Sequence, residues 1–217
     1  MADMAAVDSD PELLVLHGVR LGGLSDAPAL ASRWSLDRAD VHELLLDFEA
    51  HGWVRKVEDL AGIRGWWLTD AGRTEGECRL AAELDTTGRR DTVRTAYDVV
   101  LGLNARLLRA CTDWQIRPAP GDRFAANDHA DWSWDERVLQ ELAALGQRMR
   151  PVCRELTGVL TRFRGYDDRF VGALSRVDQG DGSWVDRPGA DSCHTVWFQL
   201  HEDLLATLGI QRGEEGR

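Results

Sequence analysis

The 217 residues read as a mainly α protein: three or four short helices and a two-stranded hairpin over residues 11–75, then an all-helical bundle over residues 76–217. Three observations carry this expectation. Residues 11–75 hold short apolar repeats broken by dense capping residues and glycines. Residues 53–57 and 66–68 are short β-like runs on either side of a glycine-containing turn. Residues 76–210 keep helical apolar spacing over long stretches, with loops near 118–133 and 179–191.

The elements follow in chain order. Residues 1–10 carry three aspartates and no basic residue and are expected to form a flexible tail. Asp10 before Pro11 is a cap and first-turn pair. It opens a helix through Leu13, Leu14, Leu16 and Val19 that stops at Gly22 and Gly23. Ser25 and Asp26 before Pro28 start a second short helix, which runs out at Trp34 and Ser35. After a three-residue turn Asp37 caps a third helix, whose Val41, Leu44, Leu45 and Phe48 fall at i, i+3, i+4 and i+7. Gly52 ends it. Residues 53–57 form a strand, 58–65 a turn, 66–68 a returning strand, and Thr69 or Asp70 caps a fourth helix.

Helix, helix, turn, helix and hairpin is the order of a winged helix-turn-helix. Residues 30–41 (LASRWSLDRADV), 48–54 (FEAHGWV) and 67–73 (WLTDAGR) resemble the winged-helix domains of bacterial MarR-type and related transcriptional regulators. The Leu-Thr-Asp-Ala-Gly-Arg string after the hairpin is the most specific of the three. The resemblance covers about a third of the chain. It implies a DNA-binding fold used by dimers, with the third helix in the major groove and the hairpin beside the phosphate backbone. A cytoplasmic location is expected separately, because residues 1–10 are acidic where a secretory signal starts with basic residues.

Charge opposes part of that implication. The chain carries 26 basic and 37 acidic residues, net −11, and residues 1–75 hold 7 basic against 14 acidic side chains. DNA affinity comes chiefly from neutralised phosphates. Yet Asp37, Asp40, Glu43, Asp47 and Glu49 meet only Arg38 along the third helix. The basic residues that do occur are grouped: Arg33 and Arg38 flank the turn, Arg55 and Lys56 lie on the first strand, and Arg64 sits at the tip of the hairpin. The DNA-facing set is therefore Arg33, Arg38, Arg55, Lys56 and Arg64 on the backbone, with His42 and Arg38 facing base edges. The alternative from another class is a protein-interaction adaptor or regulatory subunit using the same surface.

In the bundle, residues 91–113 form one helix with Val93, Ala96, Tyr97, Val100, Leu103, Leu107 and Leu108 on a shared face. The run Ser133-Trp134-Asp135-Glu136 reads as a capping box opening the next helix. Pro151 kinks or restarts it, residues 152–163 and 168–177 continue the pattern, and Ser192 opens a last helix ending at Gly209. A winged helix joined to a helical domain also resembles the GntR-type regulators, whose helical domain senses a small acid, often through a metal held by histidines. The aspartate and the trio of histidines at that family's spacing are absent here, so no metal ligands carry over.

Two features of the bundle are candidates for an effector site. His194, Trp197 and His201 share one stripe of the last helix, with imidazoles about 10 Å apart along the axis. The loop at residues 127–134 offers oxygen and imidazole groups with two indoles, among them His129, Trp132 and Trp134. A pocket for a small-molecule effector is expected between that loop, Trp184 and the stripe. The alternative for both features is packing at the edge of a core or dimer interface.

Other classes find little support. The four cysteines, Cys78, Cys111, Cys153 and Cys193, lie more than thirty residues apart and read as reduced, mostly buried thiols. No apolar run approaches the length of about 20 residues that a membrane span requires. Nucleophile-elbow, phosphate-loop, dinucleotide and zincin motifs are absent, so neither an enzyme nor a cofactor is expected.

Overall fold

The computed structural model describes residues 5–60, 63–211 and 213. Among them the protein is predominantly helical, with one two-stranded antiparallel sheet. The order is α1 (Pro11–Gly22), α2 (Ala27–Trp34), α3 (Arg38–Ala50), β1 (Val54–Leu60), β2 (Ile63–Leu68), α4 (Asp70–Thr87), α5 (Arg90–Gln115), α6 (Trp132–Thr157), α7 (Tyr166–Asp178) and α8 (Cys193–Leu208). Short 3₁₀ turns occupy Thr161–Phe163 and Gly182–Val185. No helix among the described residues is long and apolar enough to cross a membrane.

The chain divides into two compact units, one of residues 1–93, 158–162 and 202–217 and one of residues 94–157 and 163–201. The boundary expected near residue 76, inside a connecting helix, falls within α4, which runs unbroken to Thr87. Leu80 of α4 closes a small core with Leu13 of α1 and Ala206 of α8, so α4 and the end of α8 belong with the N-terminal elements.

In the first unit, α1, α2, α3 and the hairpin enclose Val15, Leu16, Val19, Leu30, Val41, Leu45, Phe48, Val54 and Trp66. Complete burial of such aliphatic and aromatic side chains contributes roughly 1.5–3 kcal/mol each. Caps define the helix starts. Asp10, Asp26 and Asp37 accept from the first-turn amides of α1, α2 and α3. Thr69, rather than Asp70, caps α4 by accepting from Gly72 N–H at 3.0 Å. Its hydroxyl also lies 2.6 Å from the Gly52 carbonyl and 3.0 Å from that of Trp53, which clips the hairpin to the helix. Gly72 is required there, because a Cβ would come within 2.0 Å of the Trp53 carbonyl oxygen.

Two expectations for this unit are corrected. The strands extend through Leu60 and from Ile63, past a register shift between Val57 and Leu60, so most of the predicted turn at 58–65 is strand and its tip at 61–62 lies outside the described residues. The segment at 1–10 is not wholly a free tail. Val7 N–H donates to the Val159 carbonyl and Thr161 N–H to the Val7 carbonyl, both at 3.0 Å, and Thr161 Oγ1 donates to Asp8 at 2.7 Å. Residues 1–4 lie outside the described residues.

A buried polar network also ties this unit together. Arg162 is wholly buried and donates to Asp203, to Glu83 at 3.1 Å and to Thr207 at 2.7 Å. His17 Nε2 lies 3.0 Å from Asp203 Oδ1, with both side chains fully enclosed. Burial opposes the Arg162 charge, but Asp203 and Glu83 hold its pKa above the ordinary arginine value. For His17 burial prevails over the attraction of Asp203 and depresses its pKa, so the imidazole is neutral in the fold. At the edge of this network Arg20 bridges Glu202 at 2.9 Å and Glu77 at 2.7 Å.

The second unit packs α5, α6, α7 and the first half of α8 around Tyr97, Leu107, Leu142, Leu145, Phe170 and Trp197. Gly146 lets α6 approach α7, since a Cβ there would stand 3.2 Å from the Phe170 ring. Leu108, expected on the buried face of α5, is exposed. The capping box at Ser133 is also corrected. Asp131 accepts from Ser133 N–H at 3.1 Å and from the Ser133 hydroxyl at 2.7 Å, so α6 begins one residue before Ser133. Pro151 lies within α6, which continues to Thr157 rather than restarting.

Candidate nucleic-acid interface

The connection from α2 to α3 is tight for local reasons. Ser35 ends α2 in the left-handed region at φ 55°, and its N–H returns to the Ala31 carbonyl. Leu36 N–H bonds the same carbonyl at 3.0 Å, and its side chain packs on the core below. Asp37 then accepts from Ala39 N–H at 2.7 Å and from Asp40 N–H at 3.3 Å. Its carboxylate is therefore spent on its own helix.

The core side of α3 is Val41, Leu45 and Phe48. The remaining positions sort into stripes by helical spacing. Arg38, His42 and Glu49, at i, i+4 and i+11, border the hairpin: the His42 ring meets Trp66 edge-on at 6.5 Å, and Glu49 accepts from Lys56 N–H at 3.3 Å. Ala39, Glu43, Leu46 and Ala50 form the outermost stripe, and all four are exposed. Asp40 and Asp47, at i and i+7, share the flank remote from the hairpin. The acids that crowd the sequence are thus divided among three surfaces.

On the hairpin, Arg55 pairs with Trp67 and Lys56 with Trp66. Opposed residues share a face and neighbours along a strand alternate, so Arg55 and Lys56 lie on opposite faces. Arg55 stands with Trp67, which is 50% exposed, on the outer face. Lys56 stands on the side facing α3, 3.3 Å from Glu58. Arg64 is exposed within β2 rather than at the tip, next to Gly65, where a Cβ would come within 2.8 Å of the Ser25 carbonyl oxygen. Arg33 lies half-buried with its guanidinium 4.9 Å from the Trp34 ring. His42 and Lys56 thus both border Trp66 along the cleft between α3 and the hairpin, Arg38 shares the His42 stripe by helical spacing, and Arg55 lies on the other face of the hairpin.

The residues expected to line an effector pocket have separate partners. His129 adopts a left-handed backbone at φ 56°, with its ring 4.5 Å from Trp114 and Nδ1 2.9 Å from the buried Asp135 carboxylate. Asn127 donates to the same carboxylate at 2.8 Å and to the Trp114 carbonyl at 3.0 Å. Trp134 donates to the Asp113 carbonyl at 2.6 Å, so this part of the loop closes the end of α5. Trp132, predicted to fold back with it, is 69% exposed. Trp184 donates to Asp181 at 2.9 Å beneath Arg176. Trp197 donates to Asn104 at 3.3 Å, His201 stacks on Tyr97 at 6.1 Å, and His194 is half-buried. On α8 the stripe of Trp197 and His201 is part of the buried face. No group of three or more histidine, cysteine or acidic side chains among the described residues is arranged to hold a metal ion. Burial pushes the Cys111, Cys153 and Cys193 thiols up to about 12, which leaves them protonated.

Sequence spacing missed the network of His17, Glu83, Arg162 and Asp203. Its one local sign is the pair Glu202-Asp203 inside the apolar run of α8, where a buried charge demands a distant partner. Comparison with protein-family models, curated proteins and solved structures found no match to this chain.

Proposed function

We propose that the first unit is a winged helix-turn-helix that binds double-stranded DNA, and that the protein is a cytoplasmic, homodimeric transcriptional regulator. The observation that carries this reading is the sorting of charge on α3. Asp37 is engaged by its own helix, Glu49 by the hairpin backbone, and Asp40 with Asp47 lies on the other flank, so the stripe of Arg38 and His42 carries no aspartate. In this reading α3 enters the major groove, and Arg64 and Lys56 hold the backbone. The helical unit supplies the dimer contact and the response to a small-molecule effector, and operator affinity follows the spacing of the two reading heads.

A second reading is a protein-interaction adaptor. Leu46 at 45% exposure favours it, because it places apolar surface on the face of α3 where DNA would lie, and Trp67 at 50% exposure adds apolar surface on the outer face of the hairpin. A fluorescence-anisotropy titration against labelled fragments of the gene's own upstream region and of the wider genome, at two salt concentrations with competitor DNA, separates the two. The DNA reading expects salt-sensitive, competitor-resistant binding. Arg38→Ala and Arg64→Ala should each weaken it, the phosphate contact reducing the salt slope by about one. Absence of such binding at low salt overturns the DNA reading in favour of the adaptor.

A further inference from the structure

Resting on the DNA reading, the geometry points to Glu43 as the specificity-determining residue of α3, selecting a C·G pair by accepting a hydrogen bond from the cytosine N4 amino group. Of the acids on this helix, Glu43 alone stands on the outermost stripe, between Ala39 at i−4 and Leu46 at i+3. It has no hydrogen-bond or ion-pair partner among the described residues. When the outer face of α3 meets the major groove, this carboxylate is the charged group that faces base edges directly.

Its chemistry restricts what it can face. Guanine N7 and O6, adenine N7 and thymine O4 are acceptors and repel a carboxylate. Adenine N6 donates, but it sits beside the N7 acceptor, an arrangement that suits the amide of Asn or Gln. Cytosine offers the N4 amino group without a neighbouring acceptor on its own edge. The flanking Ala39 and Leu46 carry no polar group and match thymine methyls rather than competing for the amino group. An unpaired carboxylate in the groove costs affinity for every other base, so Glu43 discriminates by exclusion as well as by bonding.

The test is selection from a pool of random-core duplex DNA with the wild-type protein, Glu43→Ala and Glu43→Gln. Glu43 is exposed and alanine is a strong helix former, so the variants keep the fold. The wild type should enrich a motif containing a fixed C·G pair and bind a site with that pair replaced by T·A about tenfold more weakly. Glu43→Ala should bind the two sites equally while keeping its preferences elsewhere, and Glu43→Gln should move the preference toward adenine. A selective wild type whose Glu43→Ala variant enriches the same base at every position overturns the role of Glu43 and leaves the DNA reading standing. A uniform rise in affinity of Glu43→Ala for all sequences also overturns it, by reducing Glu43 to a repulsive charge. If the wild type binds no duplex in the pool, both readings fall.

Discussion

Helices α3 and α8 each carry a stripe of chemically active side chains at helical spacing, and the fold treats them in opposite ways. On α3 the stripe with Arg38 and His42 lies exposed at the edge of the hairpin, while Val41, Leu45 and Phe48 turn inward. On α8 Trp197 and His201 are themselves the inward face, against Asn104 and Tyr97. Spacing identifies which residues travel together on a helix. It leaves open which way they point when the helix, like α8, is apolar over most of its circumference. Exposure therefore makes the α3 stripe available to a macromolecule, and burial makes that of α8 part of the core.

Substitutions on the two helices should separate along this line. Trp197→Ala is expected to cost about 3–5 kcal/mol in chemical denaturation, as for other large buried aromatics. Leu46→Ala should stay within about 0.5 kcal/mol, the range of surface changes. Equal costs would erase the contrast.

The next largest effect is on pH dependence. His17 is neutral in the fold because burial depresses its pKa below 6.5, whereas in the unfolded chain it titrates near that value. Unfolding below pH 6.5 therefore takes up a proton, and stability falls as the pH drops through and below 6.5, by at most about 1.4 kcal/mol per pH unit from this group. Denaturation midpoints of the wild type and of His17→Gln at pH 7.5 and 5.5 measure it. The variant should show the smaller fall, and identical falls would show that His17 does not carry this linkage.

A local change is expected at Thr69, whose replacement by alanine should cost about 1 kcal/mol through loss of the α4 cap. Amide exchange checks its location. Faster exchange should appear at Gly72, the cap's amide partner, while the amides of α8 are unchanged.

Much of the first unit is legible in short stretches of chain. Asp10, Asp26 and Asp37 cap the helices they precede, and the strand pair sits where the tryptophan-bearing runs lie. These signals work because a cap or turn is satisfied by amides two or three residues away. The reading falters where the deciding partner is distant. Asp131 displaced Ser133 as the cap of α6, where both carry suitable side chains and the packing of Trp134 on α5 sets the register. Arg55 and Lys56 do share the first strand, but neighbours in a strand occupy opposite faces, which the pairing of Arg55 with Trp67 makes visible.

Apolar spacing, capping residues and glycine stops were enough to establish that this chain is mainly helical, that its first 75 residues run helix, helix, helix and hairpin, and that α3 is acidic. Tertiary structure alone decided that those acids fall on different surfaces, that the His201 stripe faces inward, and that Asp203 near the end of the chain joins Arg162 and His17 of the first unit. The reason is one of range. Local hydrogen bonds and helical periodicity act over a few residues and are written in consecutive side chains. Burial and charge pairing depend on segments far apart in the chain, 41 residues for Arg162 with Asp203 and 186 for His17 with Asp203, and these become neighbours only when the core closes.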